Sequence, residues 1–88
     1  MHVYTYILIT STGRYYTGIS KDVSKRFIQH CRSNAIFFQK NRPLKIVYTK
    51  KFNSYLEARN LEKYVKNVGA RKFLQVSLYC EGKHEKNI

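Results

Sequence analysis

Residues Tyr4 to His30 read YTYILITSTGRYYTGISKDVSKRFIQH, and the succession of patterns within them decides the fold. Val3 to Thr10 is rich in β-branched and aromatic residues and runs into the turn cluster Ser11-Thr12-Gly13, so it reads as a strand. Tyr15 to Ile19 follows as its hairpin partner. A plain two-residue loop at Thr12-Gly13 would place Tyr6 and Tyr16 on opposite faces of the sheet. A site that uses both tyrosines therefore requires an odd-length loop or a bulge. Ser20 or Asp22 can accept hydrogen bonds from the free amides that open a helix, after which Val23, Phe27 and Cys31 recur at helical spacing. The spacing predicts a helix from about Lys21 to about Arg32. Arg26 and His30, four residues apart, share one of its faces, and Lys21, Lys25 and Arg32 add charge around them.

Downstream, Ser33 to Pro43 reads as a basic, aromatic connection containing Phe37, Phe38, Lys40 and Arg42. Leu44 to Lys51 returns to strand character, with Leu44, Ile46 and Tyr48 alternating against Lys45, Val47 and Thr49. Ser54 and Glu57 have the spacing of a capping box, in which each side chain satisfies a free amide at a helix start. That helix reaches about Val68, with Ala58, Leu61 and Val65 on one side and Gly69 as its stop. A further helix is expected from about Ala70 to Tyr79, and residues 81–88 read as a polar tail after a domain spanning 1–80. The order β-β-α-β-α-α predicts an α+β fold: a three-stranded antiparallel or mixed sheet flanked by helices.

The chain has 88 residues, enough for one core. Its 43% hydrophobic content, with eight Tyr and five Phe, speaks against disorder. Seventeen Lys and Arg against five Asp and Glu give a formal charge of +12, spread from Arg14 to Lys86, which attracts polyanions. No run approaches the roughly 18 apolar residues of a membrane span, and no charged-then-apolar leader opens the chain. An intracellular protein is expected, cytoplasmic or at the nucleoid or nucleus, not secreted and not bound to membrane. Cys31 and Cys80 lie far apart without a Cys-x-x-Cys or zinc spacing, so both read as free thiols, Cys31 packed against the core.

A metal-dependent phosphodiesterase needs a carboxylate for its cation, a means to deprotonate water, and positive charge where the phosphate becomes more negative. Of the five carboxylates, Asp22 belongs to a helix start, Glu57 to a capping box, and Glu81 and Glu85 to the tail. Glu62 is left. It borders the inward face of its helix, where a cation site or an Arg or Lys partner across the sheet surface would each account for it. Tyr6 and Tyr16, taken singly, are adequately explained as sheet aromatics. Composition and spacing alone reach a basic, aromatic domain that binds nucleic acid.

The combined pattern resembles the GIY-YIG nuclease superfamily. Tyr4-Thr5-Tyr6 matches its first-strand motif, and Tyr16-Thr17-Gly18 matches the tyrosine-x-glycine that follows on the second strand. Arg26 stands eight residues beyond Gly18 and His30 four further on, as in the family. Ser54, Glu57 and Ala58 match the start of the helix that carries the family's metal-binding glutamate, here Glu62. The likeness runs from Tyr4 to about Lys66 and is greatest to the short stand-alone branch. Two departures stand out: Tyr4 replaces a common glycine, and Ser33 to Phe38 replaces a basic Gly-Lys-Gly-like stretch.

The resemblance implies a small metal-dependent DNA endonuclease, structure- or damage-directed or weakly specific. It implies that Glu62 binds one divalent cation, Mg²⁺ or Mn²⁺, and that Arg26 stabilises charge on the phosphate. Either Tyr6 or Tyr16 deprotonates or orients the water, the other positions it, and His30 assists through a hydrogen bond. Lys21, Lys25, Arg32, Lys40, Arg42, Lys63 and Lys66 are the expected contacts to DNA, whether branched, nicked or single-stranded, for a monomer or weak dimer open to a targeting protein. The alternative is a non-catalytic nucleic-acid-binding module of the same fold.

Overall fold

The computed structural model describes residues 2–76. Cys80, Glu81, Glu85, the expected helix end at Tyr79 and the polar tail 81–88 lie outside the described residues. Within them, β1 (Val3–Thr10) is the middle strand of a three-stranded sheet. It runs antiparallel to both β2 (Tyr15–Ser20) and β3 (Pro43–Phe52). The central place suits β1, which carries no charged residue: Thr5, Tyr6, Ile7 and Leu8 are all buried. Successive strand residues project to opposite faces, and each face of β1 has its own helix. The Tyr6 hydroxyl lies 2.8 Å from His30 Nε2 on α1 (Val23–Cys31). The Thr5 hydroxyl donates at 2.7 Å to the Ala58 carbonyl on α3 (Tyr55–Val68).

The β1–β2 register pairs Tyr6 with Gly18 and Leu8 with Tyr16, so Tyr6 and Tyr16 occupy the same face. The odd loop that this demands is present. Ser11, Thr12 and Gly13 form it, with the Gly13 amide donating to the Thr10 carbonyl at 3.0 Å and the Thr10 amide to the Arg14 carbonyl at 2.9 Å. Gly13 sits at φ 83°, the left-handed conformation that closes three-residue hairpins and that glycine adopts without steric cost.

Asp22 caps α1 by accepting from the Lys25 amide at 3.0 Å, and Arg32 ends it. The stretch expected to be a plain connection is instead partly helical: α2 (Ile36–Lys40) occupies its middle. No side chain caps its start. Its place is set by the burial of Phe38 and by Asn41, which donates to the Phe37 carbonyl at 2.8 Å and accepts from the Thr12 hydroxyl.

The strict alternation expected for β3 is interrupted. Ile7 pairs with Tyr48 but Leu8 with Ile46, and Ile9 pairs with Lys45 but Thr10 with Pro43, so β3 carries an extra residue at each shift. Leu44, at the second shift, is 60% exposed rather than part of the core. At the head of α3, Ser54 accepts from the Glu57 amide at 3.2 Å and donates its hydroxyl proton to Glu57 Oε1 at 3.0 Å. The pairing is reciprocal, as expected, but closes through the hydroxyl. Ala58 and Val65 are fully buried, and Gly69, at φ 94°, ends the helix. The chain is helical again, as α4, over 70–76, where Phe73 meets Tyr48 edge-on at 5.2 Å between ring centres.

Candidate active site

The sheet face bearing Tyr6 and Tyr16 is lined with rings because three elements converge there. Tyr6 comes from β1, Tyr16 from β2 and His30 from the last turn of α1. Tyr6 and Tyr16 stand 6.4 Å apart between ring centres, and Tyr16 and His30 meet edge-on at 5.0 Å. Phe38 of α2 stacks on His30 at 4.4 Å and meets Tyr16 edge-on at 5.0 Å, while Phe37 lies 6.0 Å from Tyr16. In the sequence both phenylalanines belong to a stretch that reads only as a connection. The run Ile36-Phe37-Phe38 was the available signal, since three adjacent apolar residues in a basic segment need something to cover.

Gly18 makes the Tyr6 placement feasible. A Cβ at position 18 would lie 2.6 Å from the Tyr6 hydroxyl oxygen and 2.7 Å from its ring carbon, so the phenol crosses β2 over bare backbone. Thr17, the other motif residue on this strand, is buried and pairs with Ile7 across the ladder. Tyr4, opposite Ser20, is half-buried.

Burial raises the Tyr6 phenol's pKa well above its ordinary value, and the neighbouring Tyr16 and Glu62 push the same way while Arg26 opposes them. Burial, helped by the positive charge of Arg26, lowers that of His30. The two shifts keep both groups uncharged near neutral pH, so the Tyr6 hydroxyl and His30 Nε2 share one neutral hydrogen bond whose donor is set by the histidine tautomer. Arg26 and Glu62 are thus both within electrostatic reach of one phenol, although α1 and α3 leave opposite faces of the sheet. That phenol is only 1% exposed, whereas Tyr16 is half-buried.

Glu62 does not pair across the sheet surface. Its carboxylate meets Lys66 Nζ at 3.1 Å, one turn along the same helix, with the Glu62 side chain 16% exposed and that of Lys66 60%. The described residues contain no group of three or more His, Cys, Asp or Glu able to form a protein cage for a metal. One carboxylate with room for water and phosphate oxygens is nevertheless a donor set that suits Mg²⁺, which keeps several waters and takes one or two carboxylates. It would have to displace the Lys66 ammonium.

Beside this cluster, a cleft of about 470 Å³ opens between the N-terminal end of α1, the ends of β1 and β2, and the start of α3. Arg26 lines it together with Lys21 and Lys25. Arg26 and His30, alike in helical spacing, therefore serve different surroundings: the arginine is exposed at the cleft, the histidine buried among rings. Of the other expected nucleic-acid contacts, Arg32, Lys40, Arg42 and Lys63 are exposed, and Lys66 is engaged with Glu62. Cys31 is half-buried and free.

The five-residue constellation, its odd hairpin and its glutamate-bearing helix define a GIY-YIG domain. The family model for the GIY-YIG catalytic domain matches residues 2–74, and the chain belongs to this nuclease-type family. Among particular proteins, it is 34% identical over 74 residues to the UPF0213 protein SSP2268 of Staphylococcus saprophyticus, covering 83% of this chain and 90% of that one. It is 34% identical over 86 residues to the UPF0213 protein BH0048 of Halalkalibacterium halodurans, covering 97% and 92%. The solution NMR structure of the UPF0213 protein BH0048 from Bacillus halodurans superposes with a TM-score of 0.55 at 38% identity, over 89% of this chain and 85% of that chain. No helix among the described residues is long and apolar enough to cross a membrane.

Proposed function

We propose that this protein is a small DNA endonuclease that hydrolyses phosphodiester bonds at the Tyr6–Tyr16 face with the help of one divalent cation. The observation that carries the reading is the convergence on the Tyr6 phenol of the His30 hydrogen bond, the Tyr16 ring and the fields of Arg26 and Glu62. Family membership supports the reaction class.

Burial divides the labour between the tyrosines. Tyr6, enclosed and holding its proton, is a positioning residue that locks His30 and supports the second ring. Tyr16 has the access to meet a substrate-side water and, in its phenolate form, to accept that water's proton and become the neutral phenol. Arg26 offsets charge building on the phosphate, and a guanidinium does so without a proton to lose. Glu62 is the residue that would hold Mg²⁺ or Mn²⁺, which when bound supplies Lewis-acid stabilisation of the phosphate and leaving oxygens.

Substituting Glu62→Ala tests this directly. Mg²⁺-dependent cleavage of a panel of nicked, flapped, branched and single-stranded DNA should fall at least about a hundredfold, the scale of losing one electrostatic stabiliser. Binding in EDTA should persist. Equal cleavage by variant and wild type would remove Glu62 from the reaction. The Lys66 ion pair favours one rival, a binding module of the same fold whose glutamate is structural. That rival predicts tight binding with no cleavage of any substrate in the panel, with either metal.

A further inference from the structure

The cleft beside Arg26 has a composition that phosphate binding alone does not explain. Val3 and Ile19 give it an apolar floor, and Tyr55 stands at its rim with 59% of its surface exposed. Lys21, Lys25 and Arg26 supply cations along one wall. The amides of Gln29 and Asn53 also line it, and neither side chain forms a hydrogen bond among the described residues. The only carboxylate in the lining, Asp22, is engaged by the Lys25 amide at the helix cap. A site for a bare anion needs neither an apolar floor nor an unsupported aromatic ring. A site for an apolar peptide would not place three cations on one wall.

We propose that this cleft is a subsite for one unstacked nucleobase of the DNA strand, in the nucleotide next to the phosphate that Arg26 contacts. Its volume, about 470 Å³, lies in the range of pockets that enclose small organic ligands. Tyr55 offers a stacking face, Gln29 and Asn53 offer donors and acceptors to base edges, and Lys21 and Lys25, on the same wall as Arg26, attract the strand's phosphates. Arg26 lines the cleft and also acts on Tyr6, so it joins the two sites. The inference rests on the nuclease reading for its substrate and deepens it: the preferred strand is one that already has an unpaired nucleotide at the cut, as a bulge, flap or single strand has, rather than intact duplex.

The test compares two duplexes identical in length and charge, one with a single bulged adenosine nucleotide and one with an abasic bulge, by fluorescence anisotropy in EDTA. Wild type should bind the base-bearing bulge about tenfold tighter, the scale of one base stacked on an aromatic ring. Tyr55→Ala should bind both alike, and Tyr55→Phe, which keeps the ring, should retain the preference. Equal affinity of wild type for the two duplexes would overturn the subsite while leaving the nuclease reading intact. Binding to neither would overturn both. A preference that persists in a folded Tyr55→Ala protein, checked by circular dichroism, would also overturn the subsite.

Discussion

Gly18 is the residue on which the ring cluster depends most narrowly. Because a Cβ there would lie 2.6 Å from the Tyr6 oxygen, Gly18→Ala should push the phenol off β2 and break its bond to His30. The expected cost is about 1–3 kcal/mol, as for other overpacked sites, read from the urea midpoint, with cleavage lost as well. His30 makes a second prediction. Its folded pKa is lowered relative to the ordinary 6.5, so below 6.5 the unfolded chain binds the extra proton first. Stability contributed by this group is therefore complete above pH 6.5 and declines as pH falls below it, toward the folded value. Urea melts across pH 7.5 to 5 should show this slope in wild type and a shallower one in His30→Gln; parallel curves would contradict the shift.

At the scale of elements, α2 is the part whose shape depends on its neighbours. It has five residues and no side-chain cap, too little to persist as an isolated helix. Phe38→Ala should cost about 3 kcal/mol by removing the ring stacked on His30, in urea unfolding monitored by tyrosine fluorescence. It should leave the β1–β2 hairpin, which has its own turn chemistry, in place. The same contrast explains what could be read from the chain. β1, α1 and α3 announce themselves through local signals: β-branched runs, Asp22 and Ser54 as caps, and apolar residues at helical intervals. The odd hairpin loop followed from requiring Tyr6 and Tyr16 on one face. α2 had no such local mark, because long-range packing of Phe38 determines it. The partner of Glu62 is legible as a glutamate followed four residues later by lysine, although an acid bordering the inner face of its helix fits a partner across the sheet equally well. Spacing placed Arg26 and His30 on one helix face but could not separate an exposed cleft from a buried ring stack, since that depends on what the rest of the chain lays against each.

For the molecule as a whole, the +12 charge sets how affinity should respond to ions. The logarithm of the DNA association constant should fall linearly with the logarithm of salt concentration, by about 0.9 per phosphate neutralised. Lys40→Ala and Lys63→Ala should each make that slope shallower by about one without changing sequence preference. A salt-independent affinity would argue against phosphate recognition. The sheet order has another effect. Among the described residues β3 is an outer strand ten residues long, and an outer strand is where a second chain could add to a sheet. Lys45, Lys50 and Lys51 are all exposed along it. Two copies approaching edge to edge would press ammonium groups together before their backbones could join, so cross-β fibril growth is opposed at its first contact.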